Sequence, residues 1–174
     1  MSTDSWNDEL IASVKGFHRS FPTGVTIVTT TSEGLPYGLA VNAFSSISLT
    51  PPMVLVCVNS SSSTYQRLFS NDEFGVSILA SDQAGVAQVF AKSGAQKFEQ
   101  ITWTPGKSGA PLIDGAAAQL EFRVKSRLLA GTHTIFVGIV TAAQSFGRPS
   151  LIYSAGEFYD GGQLAKVAAK PQGA

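Results

Sequence analysis

Few side chains in this sequence could carry reaction chemistry. There are two histidines, His18 and His133, one cysteine, Cys57, and a hydroxyl-rich stretch from Gly34 to Gln66 that holds no Asp, Glu, Lys or Arg. The histidines lie far apart in sequence and one cysteine cannot make a thiolate cluster, so no metal motif can be built locally. A Gly-x-Gly-x-x-Gly turn, a Gly-Lys-Ser/Thr phosphate loop and a Gly-x-Ser-x-Gly elbow are all absent. Cys57 sits in the apolar run Met53 to Val58 with no neighbouring His or Lys to activate it. A buried, inert thiol is expected there. His18 falls near the polar side of a helical pattern, where solvation or capping is the expected role. His133, on an apolar strand, fits a satisfied core histidine as well as a binding group.

The Gly34 to Gln66 stretch suits a different chemistry. Ser63 and Gln66 have the spacing of a capping box. The helix start they would mark presents free N–H groups and partial positive charge to a phosphate, with no need of lysine. Hydroxyl-rich, charge-free chain ahead of it suits a planar, phosphate-bearing cofactor. It equally suits a buried strand pair with a polar turn. A protein poor in acid–base groups can still run a reaction that its cofactors carry. Hydride transfer between two rings held in register is one such reaction.

The elements that must position these groups are legible in outline. Asn7 to Ser20 has Leu10, Ile11, Val14 and Phe17 near helical spacing, and Pro22 stops the pattern. Gly24 to Thr31 is a β-branched strand, Ser32 to Gly34 a turn, and Tyr37 to Ser48 the returning strand of a hairpin. Pro51-Pro52 breaks the chain before the Met53 to Val58 strand, and Tyr65 to Phe69 is helix-like. Phe74 to Leu79 is a strand; Asp82 is placed to cap a helix from Ala84 to Lys92 that Gly94 ends. Lys97 to Gly115 reads as a loop that could cover a site. Ala117 to Leu129 alternates as a half-exposed strand, Thr132 to Ala143 is more apolar, and Ser150 to Ser154 follows. Many strands with short turns and few helices argue for a closed or nearly closed β-barrel. At 174 residues a single domain is expected, with a core over about 17–159 and a loose tail over 166–174. Twelve basic and twelve acidic residues balance, which argues against nucleic acid or an anionic membrane as partner. The lone cysteine and the polar, acidic N-terminus fit a cytoplasmic protein without a signal peptide.

The segment GLAVNAFSSISLTPPMVLVCVNSSSST resembles the signature of the short-chain flavin reductases, the reductase components of two-component flavin-dependent monooxygenases. FPTGVTIVTT at Phe21 to Thr30, SILASDQ at Ser77 to Gln83, GTHTIFVGIV at Gly131 to Val140 and LIYSAGEF at Leu151 to Phe158 extend the resemblance in the family's order. It implies a mainly β fold with flanking helices, an FMN-binding, Greek-key split barrel that pairs as a homodimer. It implies an NAD(P)H-dependent reductase that reduces FMN or FAD and supplies it to a separate monooxygenase, with NADH favoured over NADPH. Asn42, Ala43, Phe44, Ser45 and Ser46 match the segment along the flavin ring. Asn59, Ser60, Ser63 and Thr64 match the phosphate loop, and Leu79, Ala80, Gln83 and Phe90 the step beside ribityl and phosphate. His133 matches the histidine that positions the nicotinamide, with Tyr153, Gly156 and Phe158 on the nicotinamide side. No metal is implied. Three positions depart from the pattern: Ala43 where Ser is frequent, Thr132 where Asp usually precedes the histidine, and Val89 where a basic residue is common. A non-catalytic flavin-binding barrel and an FMN-dependent oxidase of the same superfamily are the alternative readings.

Overall fold

The computed structural model of the protein describes residues 7–94 and 96–167. The first six residues, part of the N-terminus read above, and most of the expected tail lie outside them. Helix α1 (Asp8–Arg19) is capped by Asn7, whose side chain accepts from the Leu10 N–H at 2.7 Å. Strands β1 (Thr23–Gly24), β2 (Thr26–Ser32), β3 (Leu35–Val41), β4 (Phe44–Leu49) and β5 (Pro52–Asn59) follow. Then come α2 (Tyr65–Phe69), β6 (Glu73–Ile78), α3 (Ala84–Ala91) and the short pair β7 (Trp103–Pro105) and β8 (Pro111–Ile113). Two long strands, β9 (Ala118–Ala130) and β10 (His133–Ser145), precede the small hairpin β11 (Leu151–Ser154) and β12 (Glu157–Asp160).

Seven strands form one antiparallel sheet in the order β3-β2-β6-β9-β10-β5-β4. Its two edge strands, β3 and β4, are joined by only Asn42 and Ala43. Two residues span little more than about 10 Å, so the sheet has to curl until its edges nearly meet. The result is a barrel left open along one seam. The single strand expected from Tyr37 to Ser48 is therefore two. The Phe44 N–H bonds back to the Asn42 carbonyl at 3.0 Å, and Ala43 O accepts from Cys57 N at 2.9 Å.

Phe74, Phe122 and Phe136 fill the barrel, with Phe74 centred 5.1 Å from Phe122 and 5.2 Å from Phe136. A second core lies outside the wall, where Ile27, Leu79, Phe90, Phe98, Ile113 and Leu151 bring α3 and the β11–β12 hairpin onto β2 and β3. Because both faces of β2 are covered, its threonines bury their hydroxyls against carbonyls of neighbouring segments. Residues 97–115 do not act as a loose cover. They hold the β7–β8 pair, and Pro111 and Gly109 accept from Thr29 and Thr31.

Three local expectations are corrected. Thr64, not Ser63, stands at the α2 N-cap; its backbone is helical and it makes no capping bond, because its Oγ1 donates instead to the Gly38 carbonyl at 3.1 Å. Asp82 pairs with Arg148 at 2.7 Å, leaving Gln83 at the α3 N-cap. That helix ends at Lys92, which turns extended before Gly94 is reached. The apolar side of α1 is also uncovered: Phe17 is 75% exposed, and no residue of the helix is buried.

Candidate functional site

The β3–β4 corner forms one wall of a cleft of about 500 Å³. Asn42, Ala43, Phe44 and Ser45 line it from the corner, Leu55 from β5, and Phe21 to Gly24 and Ser150 from the facing segments. Asn42 also lines an adjoining cleft of about 250 Å³, with Ala40, Val41, Tyr153 and Phe158. A third cleft, about 210 Å³, opens further back along β3 at Tyr37 and Gly38, against Ser63 and Thr64. The three clefts thus follow one strand and its corner.

No ionisable side chain lines either of the first two clefts except the Tyr153 phenol. Thr23 Oγ1 beside the first is buried without a hydrogen-bond partner. An orphaned buried hydroxyl costs stability unless something supplies a partner. Asn42, Ser45 and Ser46 are exposed, and Ser45 Oγ reaches only the Ser46 carbonyl at 3.1 Å. A flat, hydrogen-bonding heteroaromatic ring fits this set: apolar walls from Phe44, Leu55 and Ile152, with hydroxyl and amide groups at the rim.

His133 does not line these clefts, yet it shares a wall with them. It pairs with Asn59 on β5, and Ser45 pairs with Leu55. Opposite residues of an antiparallel pair share a face, and so do i and i+2 along a strand. Leu55, Cys57, Asn59, Ser45 and His133 therefore lie on the outer face of one wall. Thr132 Oγ1 is 2.9 Å from His133 Nδ1, so a hydroxyl orients the imidazole where the family pattern has a carboxylate. The Thr132 carbonyl in turn accepts from Ser60 N and Ser60 Oγ, both at 2.9 Å, tying the Ser/Thr loop to the histidine. Asn59 Oδ1 accepts from Ser61 N and Ser61 Oγ at 2.8 Å and shapes that loop from within. Burial pushes the Cys57 thiol up in pKa, which keeps it protonated beside the cleft.

The remaining sequence-assigned residues have structural partners. Leu79, Ala80 and Phe90 are buried in or beside the second core. Gln83 Oε1 accepts from Ala80 N at 3.0 Å and its Nε2 donates to the Asp114 carbonyl at 2.8 Å, which clamps the turn before α3. Tyr153 and Phe158 face each other across β11–β12 with centroids 5.7 Å apart. Gly156, at φ +100° beside Ala155 at +53°, makes the tight hairpin turn that sets this pair. Sequence reasoning missed Thr23, Leu55, Ile78 and Ile152 as lining groups. They are apolar or β-branched residues that any strand would carry, so no local signal marked them.

Among the described residues no group of three or more His, Cys, Asp or Glu could hold a metal, and no helix is long and apolar enough to cross a membrane.

The family described as the flavin reductase like domain matches residues 17–162. The chain is similar to an NADH-dependent FAD reductase of Streptomyces globisporus, with 41% identity over 144 residues, covering 79% of each protein. It is similar also to the reductase component of a 4-nitrophenol 4-monooxygenase/4-nitrocatechol 2-monooxygenase of Rhodococcus opacus, with 41% identity over 138 residues, 79% of this chain and 74% of that one. The solved structure of a Streptomyces globisporus NADH:FAD oxidoreductase in complex with NAD and FAD fragments superposes with a TM-score of 0.84 at 36% identity, covering 96% of this chain and all of that one.

Proposed function

The chain belongs to the flavin reductase like domain family, and on that basis we propose that it is an NADH-dependent flavin reductase that hands reduced FMN or FAD to a separate monooxygenase component. The observation that carries this reading is the run of clefts along β3, from the Ser63–Thr64 loop to the charge-free corner at Asn42 to Ser45. A flavin held there would supply the redox chemistry, as acceptor of a hydride from a nicotinamide.

The protein's own residues bind and align. Asn42, Ala43, Phe44, Ser45 and Ser46 hold the ring by backbone groups, hydroxyls and an aromatic edge. Ser60, Ser63 and Thr64 take the phosphate end, with Asn59 shaping their loop and Gln83 fixing the turn beside it. Leu79, Ala80 and Phe90 support the track from behind. His133, set by Thr132, positions the nicotinamide, with Tyr153, Gly156 and Phe158 on its side. Alignment of two rings replaces a diffusive encounter, which is the larger part of what such a site needs to do. Hydroxyls rather than ion pairs line the ring cleft, so release of the reduced flavin breaks only modest contacts. We further propose a homodimer in the cytoplasm as the working unit; the uncovered Leu10, Ile11, Val14 and Phe17 of α1 fit contact with a second chain.

Anaerobic mixing of the flavin-loaded protein with NADH tests the reading. The yellow flavin absorbance should bleach, and the reduced flavin should pass a membrane that retains the protein. Flavin that binds but never bleaches would make the protein a carrier instead.

A further inference from the structure

Lys97 belongs to none of the site groups above, and its surroundings are unusual for a lysine. It is only 8% exposed. Its Nζ donates to the Gly38 and Phe90 carbonyls, each at 3.2 Å, and stands 5.8 Å from the Phe90 ring centroid. Phe90 lies in the last turn of α3, so one of these bonds serves a carbonyl that the helix end leaves free. None of the ion pairs among the described residues includes Lys97. A buried cation matched only by dipoles is an expensive arrangement. Burial accordingly lowers its pKa.

An ammonium has three N–H donors, and two are used here. Lys97 also lines the third cleft, beside Ser63 and Thr64. Thr64 Oγ1 and Lys97 Nζ converge on the same Gly38 carbonyl, at 3.1 and 3.2 Å. A Cβ at Gly38 would meet Phe90, Phe98 and Thr29 at 3.0–3.1 Å, so glycine lets α3 and the segment that carries Lys97 pack this closely on β3. Ammonium and hydroxyls are thus gathered at the end of β3 away from the ring cleft. Gly38 and Asn42 are four residues apart on the strand, about 13 Å. The Ala40–Asn42 cleft lies between them, a course that a ribityl chain can follow.

We propose that Lys97 is the countercharge for the flavin 5′-phosphate, its remaining N–H donating to a phosphate oxygen in the cleft walled by Ser63 and Thr64. The inference rests on the flavin reading above and adds to it the one buried charge at the phosphate end. With the ring end neutral, one charge-assisted contact then separates nucleotide from riboflavin.

Titration of flavin-free protein with FMN and with riboflavin, in the absence of NADH, tests it. FMN should bind about tenfold or more tightly than riboflavin. Lys97→Met should bring FMN down to the riboflavin level and leave riboflavin unchanged, and Lys97→Arg should keep most of the preference. Equal losses for both flavins, or an FMN preference that survives in Lys97→Met, would overturn the proposal. So would a raised NADH KM with unaltered FMN affinity, which would give the ammonium to the nicotinamide dinucleotide. Because Lys97 also braces α3, the unsubstituted protein provides a measurement that needs no variant. Inorganic phosphate should compete with FMN and not with riboflavin; competition with neither or with both counts against the assignment. A protein that binds neither flavin would instead remove the flavin reading itself.

Discussion

Four threonines of β2, Thr26, Thr29, Thr30 and Thr31, send their hydroxyls to the carbonyls of Val41, Pro111 and Gly75, Glu73, and Gly109. Ser45 and Ser46 of β4 stand exposed, and Ser45 Oγ reaches no further than the neighbouring Ser46 carbonyl. Both strands read as hydroxyl-rich, but the β2 hydroxyls are internal cross-links that let a strand be buried on both faces. Those of Ser45 and Ser46 face water and can exchange it for a ligand. Both regions carry hydroxyl side chains; the partner each hydroxyl already has decides whether it is committed to the fold or free to bond a ligand.

Changes on the β2 side should act on stability, and the largest is expected at Gly75. A Cβ there would meet Thr29 Oγ1 at 2.6 Å and the Pro111 carbonyl at 2.8 Å, and backbone cannot step aside. Gly75→Ala should cost about 3 kcal/mol in urea unfolding. Thr29→Val should cost about 2 kcal/mol, because it keeps the shape and orphans buried carbonyls. Neither should alter flavin affinity in the protein that remains folded.

Glu121 extends the same side. It is 3% exposed and accepts from Lys107 N at 3.0 Å and from Ser108 N at 2.8 Å and Oγ at 2.5 Å. Burial raises its pKa, but the Ser108 hydroxyl and the two backbone N–H groups outweigh it, and the carboxyl titrates below its ordinary range. A folded-state pKa below the unfolded one, about 4.3, adds stability at higher pH that is lost as pH falls through the folded value. Urea midpoints taken from neutral pH into acid should fall in that window, and Glu121→Gln should flatten the fall.

On the site side the expected order reverses, with function moving and stability holding. His133→Ala should raise the NADH KM or lower kcat about tenfold while flavin affinity stays put. Ser45→Ala with Ser46→Ala should weaken flavin binding about threefold and shift stability by less than about 0.5 kcal/mol. An equal loss of stability from the β4 pair and from Thr29→Val would dissolve the contrast.

Much of the barrel was legible because its strands alternate or are β-branched, as Ala117 to Leu129 and Gly24 to Thr31 show. The two-strand nature of Tyr37 to Ser48 was hidden: the chain crosses the barrel seam at Asn42-Ala43 with neither Gly nor Pro to mark it. Ser63 and Asp82 have sound capping spacing, but Thr64 and Arg148 form longer-range bonds that override it. Of the candidate site, the motif residues at the β3–β4 corner were proposed from the resemblance, and they line a cleft. Lys97 was not, because its carbonyl partner Gly38 is 59 residues away and nothing local marks a loop lysine as buried.

We infer that this chain aligns two redox partners that both come and go. The most direct test of this is NADH oxidation by flavin-stripped protein with FMN, FAD or riboflavin added in excess. Many turnovers per protein molecule are expected, saturating with both NADH and free flavin. Oxidation that stops after one equivalent, or that ignores added flavin, would contradict it.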